Sequence, residues 1–137
     1  MIKFYLAKMK SKSKGINAER ELIHLFWGKG WASIRVAGSG ASKYPNPDII
    51  ASNRLRKIAI ECKTTGKDKK YLSKGDINQL KEFCNAFGAE PWIGVRLSGG
   101  KWHFLTLEDL EQTEKGYLIS SPIASRKGLL FEELIKS

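Results

Sequence analysis

The feature that most narrows what this chain can become is the pair Pro47-Asp48, followed thirteen residues later by Glu61, with Lys63 two residues beyond. The run Ile58-Ala59-Ile60 before Glu61 reads as a strand, and side chains along a strand alternate faces. Glu61 and Lys63 therefore share one face, while Ile58, Ile60 and Cys62 share the other. If residues 52–57 (SNRLRK) turn the chain about Arg54 and Leu55, Asp48 and Glu61 stand directly opposite each other, with Cβ atoms about 5 Å apart. Two carboxylates so placed repel, and a bound cation or a shared proton is the usual compensation.

Length and charge bound the rest. Its 137 residues, 42% hydrophobic and 28% charged, make one soluble globular domain with a real core. Lys plus Arg number 24 against 14 acids, and the resulting charge of +10 calls for an anionic polymer as partner. The two cysteines, Cys62 and Cys84, have no partner at zinc-ligand spacing and read as small core residues in a reducing compartment. The opening MIKFYLAKM is interrupted by lysines and carries no small-residue cleavage site, and no run is long enough to span a membrane. The expected location is the cytoplasm.

Residues 1–14 read as a flexible basic arm and residues 15–137 as a single domain. A helix is expected from about Ile16 to Lys29, because Ala18, Leu22, Ile23, Leu25 and Phe26 form an apolar face and Gly30 can stop it. Glu19 falls near the middle of that face, an odd place for an acid unless it only caps the helix start or takes part in a site. Strands follow at 31–36, 48–51 and 57–63, with a Gly, Ser and Pro-rich loop at 37–46 after the first. That loop contains Gly38-Ser39-Gly40 but neither full nucleotide-binding pattern, so no nucleotide cofactor is expected. A lysine-rich loop then carries Lys67, Lys69, Lys70 and Lys74 around Tyr71.

Ser73 and Asp76 mark the start of a second helix and Gly88 its end, with Ile77, Leu80, Phe83, Cys84 and Phe87 as its buried stripe. Strands at 91–97 and 101–105 are joined by a tight Ser98-Gly99-Gly100 turn. Thr106 can cap a short helical turn, and Leu129 to Ile135 form a short apolar terminal helix. The class is α/β, with a central mixed sheet of about five strands flanked by helices.

A first helix laid on the face that carries Asp48 and Glu61 would bring Glu19 to them. Three carboxylates then select a hard cation, Mg²⁺ or Mn²⁺, one or two per site. Such a cation activates water and neutralises charge at phosphorus, and Lys63 would orient that water or stabilise the pentavalent phosphate. Singly, each residue has an ordinary use: Asp48 in a turn, Glu61 and Lys63 on a solvated strand edge, the lysines on a solvated face. Spacing, strand context and the acid on an apolar helix face together favour the site. His24 and His103 build no nucleophilic triad and read as structural or surface residues.

The Pro47, Asp48, Glu61, Lys63 constellation, preceded by Gly15-Ile16-Asn17-Ala18-Glu19-Arg20-Glu21-Leu22 and Arg35-Val36-Ala37-Gly38-Ser39, resembles the archaeal Holliday junction resolvases. These belong to the restriction-endonuclease-like superfamily, and the resemblance runs from about Lys14 through Gly88 and more weakly to the terminal helix. It implies that Glu19, Asp48 and Glu61 hold metal and Lys63 is catalytic. Ser39 would be a further catalytic residue on a mobile loop, with Arg20 and Arg35 near the scissile phosphate. It also implies a homodimer that cuts two opposed strands of a four-way DNA junction.

Lys43, Arg54, Arg56, Lys67, Lys69, Lys70 and Lys74 complete the expected DNA surface. A two-fold dimer would pair two sites, and the apolar Trp92, Phe104, Leu129, Leu130, Phe131 and Leu134 are the candidates for its interface, unless they close the monomer's own core. Another superfamily nuclease is one alternative, although 137 residues leave little room for elements that read sequence in the major groove. The other is a DNA-binding module without chemistry. Its expected mark, a replaced acid or lysine, is absent here.

Overall fold

The computed structural model describes residues 2–37 and 43–137, with side chains from Lys14 onward. The elements are α1 (Ile2–Gly28), β1 (Ala32–Arg35), β2 (Ile49–Ser52), β3 (Lys57–Thr65), β4 (Lys69–Ser73), α2 (Lys74–Phe87), β5 (Glu90–Leu97), β6 (Trp102–Leu105), β7 (Glu111–Gln112), β8 (Gly116–Ser120), α3 (Ser121–Lys127) and α4 (Phe131–Lys136). A short 3₁₀ turn at Leu107–Asp109 lies between β6 and β7.

The central sheet has the strand order β1-β2-β3-β5-β6, the five-stranded mixed sheet the sequence implies. Its one parallel pair, β3 with β5, needs a crossover, and α2 supplies it. The β2–β3 hairpin turns where expected, with Ser52 facing Lys57 and Ile49 facing Ile60. Ser98 and Gly99 both adopt positive φ in the tight turn between β5 and β6.

The sheet is covered on both faces. Ala18, Leu22 and Phe26 of α1 pack on Ile58 and Ile60 of β3, with Trp92 and Phe104 beyond. Ile77, Leu80 and Cys84 of α2 pack on Ala59, Ile93 and Val95 from the other side. α2 is bounded as its sequence suggests: Ser73 Oγ accepts from the Asp76 amide, and Gly88 closes the helix at φ 81°.

Four expectations change. The first helix begins at Ile2 rather than about Ile16, so residues 2–13 continue α1. The lysine-rich segment is partly strand: β4 pairs with β8, and β8 with β7, in a second three-stranded sheet that has no strong alternation in sequence. Third, α1 packs on the Ile58 and Ile60 face of β3, not on the face of Glu61 and Lys63.

The fourth correction concerns the proposed interface. Phe104 and Leu134 are fully buried in the monomer and Trp92 nearly so, and a side chain with no accessible surface cannot form a subunit contact. Leu129 exchanges backbone hydrogen bonds with Phe104 at 2.8 Å in each direction, closing the outer edge of β6, and it and Phe131 pack against the core. Of the six, only Leu130 is exposed.

Candidate active site

The site forms where the β2–β3 ladder breaks. Past the Ile49–Ile60 pair, the Asp48 amide donates to the Ile60 carbonyl at 3.0 Å, a carbonyl that regular pairing would not offer it. The Cys62 amide donates to Asp48 Oδ2 at 2.8 Å, so side chain replaces backbone in the last rung. The Asp48 carbonyl accepts from the Val36 amide at 2.8 Å, which ties the end of β1 to the same point. Asp48 is therefore not simply opposite Glu61. It sits in a local bulge at the strand end, a position that re-aims a side chain.

From there its carboxylate meets both faces of the sheet. On the α1 side, carboxylate oxygens of Glu19 and Asp48 and Cys62 Sγ all lie within 4.8 Å of one another. On the α2 side, Glu61 shares a hydrogen bond with Asp48. The three acids come together as expected, but Asp48 links Glu19 to Glu61 from between them. Cys62 joins the group because even-numbered residues of β3 face α1. Sequence reasoning assigned that thiol to the core, although the two-residue period already placed it on the face opposite Glu61.

The electrostatics record the crowding. Burial and the Asp48 carboxylate push Glu19 up to about 7, against a smaller opposing effect of Arg35, whose Nε lies 3.9 Å from Glu19 Oε2. Burial, the hydrogen bond that protonated Glu61 donates to Asp48, and the Asp48 charge push Glu61 up to about 9, with Lys63 opposing and Asp76 adding to the rise. Burial also drives the Cys62 thiol well above its ordinary value, reinforced by Asp48, Glu19 and Glu61. Acids held this way either carry protons or need a cation.

Lys63 Nζ is 3.1 Å from Asp76 Oδ2 at the start of α2. Burial would lower its pKa, but Asp76 and Glu61 outweigh that and hold Lys63 above its usual value, so it stays an ammonium. Asp76 is the second residue the sequence did not reveal. Its place three residues after Ser73 has a complete local explanation as a helix-start acid, and nothing local points across to β3.

Arg20, Lys43, Lys67, Lys69 and Lys74 are exposed, Lys70 and Arg35 partly so. Ser39 lies outside the described residues. Arg54 and Arg56 lie in the hairpin turn, away from the break at Asp48. Arg56 is already engaged: Nε and Nη2 donate to the two Glu90 oxygens at 2.9 Å, Nη1 donates to the Leu134 carbonyl at 2.8 Å, and the guanidinium lies over Trp31. A guanidinium so held pins α4 to the sheet rather than reaching for phosphate.

The sequence model described as archaeal Holliday junction resolvase (Hjc) matches residues 10–137. The chain belongs to that family. It is similar to the crossover junction endodeoxyribonuclease Hjc of Archaeoglobus fulgidus, with 43% identity over 112 residues covering 82% of each chain. The crossover junction endodeoxyribonuclease Hjc of Sulfolobus acidocaldarius is 32% identical over 130 residues, covering 93% of this chain and 90% of the relative. A solved structure of Archaeoglobus fulgidus Hjc, described as a Holliday junction resolvase from an archaeal hyperthermophile, superposes with a TM-score of 0.82 at 39% identity. It covers 88% of this chain and 97% of that one. The family's fold is thus the one seen here, including the mixed five-stranded sheet.

Proposed function

We infer that this chain is a metal-dependent endodeoxyribonuclease that resolves four-way DNA junctions by phosphodiester hydrolysis. The carrying observation is the Asp48 carboxylate at the broken rung, within 4.8 Å of a Glu19 oxygen on one side and hydrogen-bonded to Glu61 on the other, in a chain of the resolvase family.

The donor set suits a hard divalent cation. Glu19, Asp48 and Glu61 offer oxygen atoms, and burial, then Asp48, pushes Glu19 up to about 7 and Glu61 up to about 9, so that a cation is needed to hold them ionised together. We assign Mg²⁺, with Mn²⁺ as substitute, to these three residues. A cation of this kind supplies an activated water and neutralises charge on the phosphate. Lys63, kept charged and aimed by Asp76, then faces the oxygen on which negative charge develops. Arg20, next to Glu19 in sequence, and Arg35, whose Nε lies 3.9 Å from Glu19 Oε2, hold the scissile strand, with Ser39 as a further catalytic residue. Lys43 and the lysines of residues 67–74, with exposed Tyr71 among them, track the flanking backbone.

Paired incision requires two sites, so we assign a two-fold dimer in which Leu130 is an interface residue. Among the described residues no helix is long and apolar enough to cross a membrane. We assign the enzyme to the cytoplasm on the strength of its DNA-processing family. The decisive experiment compares a four-way junction with linear duplex of the same sequence, with and without Mg²⁺. The expected result is Mg²⁺-dependent cutting of opposed strands in the junction alone. Equal cutting of linear duplex would overturn the substrate, and cutting in excess chelator would overturn the metal.

A further inference from the structure

We propose that Cys62 gives the metal centre of this chain a thiol corner, so that a thiophilic divalent cation of the zinc and cadmium class binds across Glu19, Asp48 and Cys62 and blocks cleavage. The proposal rests on the assignment of Glu19 and Asp48 as metal-holding acids. It goes beyond that assignment in naming a ligand that competes for them.

Cys62 stands apart from an ordinary core cysteine. Cys84 is buried in the apolar layer beneath α2, whereas Cys62 keeps a little accessible surface, and its sulfur lies within 4.8 Å of carboxylate oxygens from both α1 and the end of β2. A zinc ion takes Cys sulfur at about 2.3 Å and carboxylate oxygen at about 2.0–2.2 Å, which sets tetrahedral donors roughly 3.5 Å apart. Small side-chain rotations bring three donors at the observed spacing to that distance. Magnesium gains nothing from a thiol, while soft and borderline cations gain most from one, so the sulfur favours the second group selectively.

The pleat explains why such an ion would inhibit. Cys62 projects toward α1 with Ile58 and Ile60, whereas Glu61 and Lys63 project toward α2, where Lys63 is held by Asp76. A cation anchored by the sulfur is drawn to the α1 side of Asp48. Glu61 and Lys63 are left on the other face, separated from it by the strand itself.

The test titrates cadmium into the DNA-free protein and follows the ultraviolet charge-transfer absorption that a thiolate–cadmium bond produces. The wild type should develop the band and saturate at about one ion per chain. Cys84→Ser should keep it, Cys62→Ser should lose it, and Glu19→Gln, which retains the thiol, should need a higher cadmium concentration to reach it. In parallel, zinc added to Mg²⁺-supported junction cleavage should inhibit the wild type and Cys84→Ser alike. In Cys62→Ser, half-inhibition relative to that variant's own uninhibited rate should need at least about tenfold more zinc. No band in the wild type, or a band that survives in Cys62→Ser, overturns the proposal. Because the absorption needs neither DNA nor catalysis, a wild-type band that depends on Cys62 in a protein that cuts no junction would support the thiol corner while refuting the assigned activity.

Discussion

The two ends of the β2–β3 hairpin hold charge in opposite ways. At the turn, Arg56 and Glu90 satisfy each other with two 2.9 Å bonds, and the pairing raises the arginine pKa and lowers the glutamate's. Both groups there are more comfortable charged than in water. At the other end, Glu19 and Glu61 are pushed up to about 7 and about 9, chiefly by burial and then by Asp48. Lys63, which Asp76 already claims, and Arg35, 3.9 Å from Glu19, do not balance three acids. A self-satisfied pair holds a fold together, whereas acids gathered without enough positive charge mark the place where something charged must be added.

That contrast can be broken, and the largest effect should come from the acids. Asp48→Ala should abolish junction cleavage while binding persists, because the carboxylate we assign to the metal offers no attraction to phosphate; gel shift in Ca²⁺ or chelator together with a cleavage assay reads both. Near-wild-type cutting by this variant would remove Asp48 from the site.

Lys63 comes next. Lys63→Ala should slow cleavage by about a hundredfold or more, and Lys63→Arg should rescue it only in part, since a planar fork cannot replace a compact ammonium. Asp76→Asn should cause a smaller loss through the misplaced lysine, seen in single-turnover rates at saturating protein. An Asp76→Asn rate below that of Lys63→Ala would give Asp76 a direct role.

At the other end the effect should be on stability. Arg56→Ala leaves Glu90 without its partner and frees α4, for a cost of about 1–2 kcal/mol once the partial exposure of Glu90 is allowed for. Thermal melting should register the loss while the cleavage rate of the folded protein stays unchanged. A selective loss of junction affinity would instead restore Arg56 to the DNA surface.

The smallest effect concerns pH. Between 4.5 and about 9 the folded protein keeps a proton on Glu61 that the unfolded chain has released, so without metal this group lowers stability progressively as pH rises. Glu61→Gln should therefore raise the melting temperature in chelator at about pH 8, with the gain fading toward about pH 5. Saturating Mg²⁺ should reverse the ranking, because a metal held as we assign it would stabilise the ionised wild type. A melting temperature that Glu61→Gln leaves unchanged at about pH 8 in chelator would mean Glu61 is not held in its neutral form.

The sequence by itself determined the strand around Ile58–Ile60, the hairpin turn at Arg54 and Leu55 and the capped second helix, because each has a local signature: a short apolar run, a polar turn, and a cap residue with a glycine stop; the order of the elements then implied the mixed sheet. It also determined the candidate acids and Lys63, since their spacing fixes faces within a strand. Tertiary structure decided what no local pattern carries. Only the packing of α1 on the Ile58 and Ile60 face put Cys62 beside Glu19, and only the broken rung at Asp48 let one carboxylate serve both faces. Lys63 found Asp76 across a crossover, Arg56 found Glu90 from 34 residues away, and Phe104 and Leu134 vanished into the monomer. In every case the deciding contact joins segments distant in sequence, where period and propensity are silent and packing alone sets the neighbours.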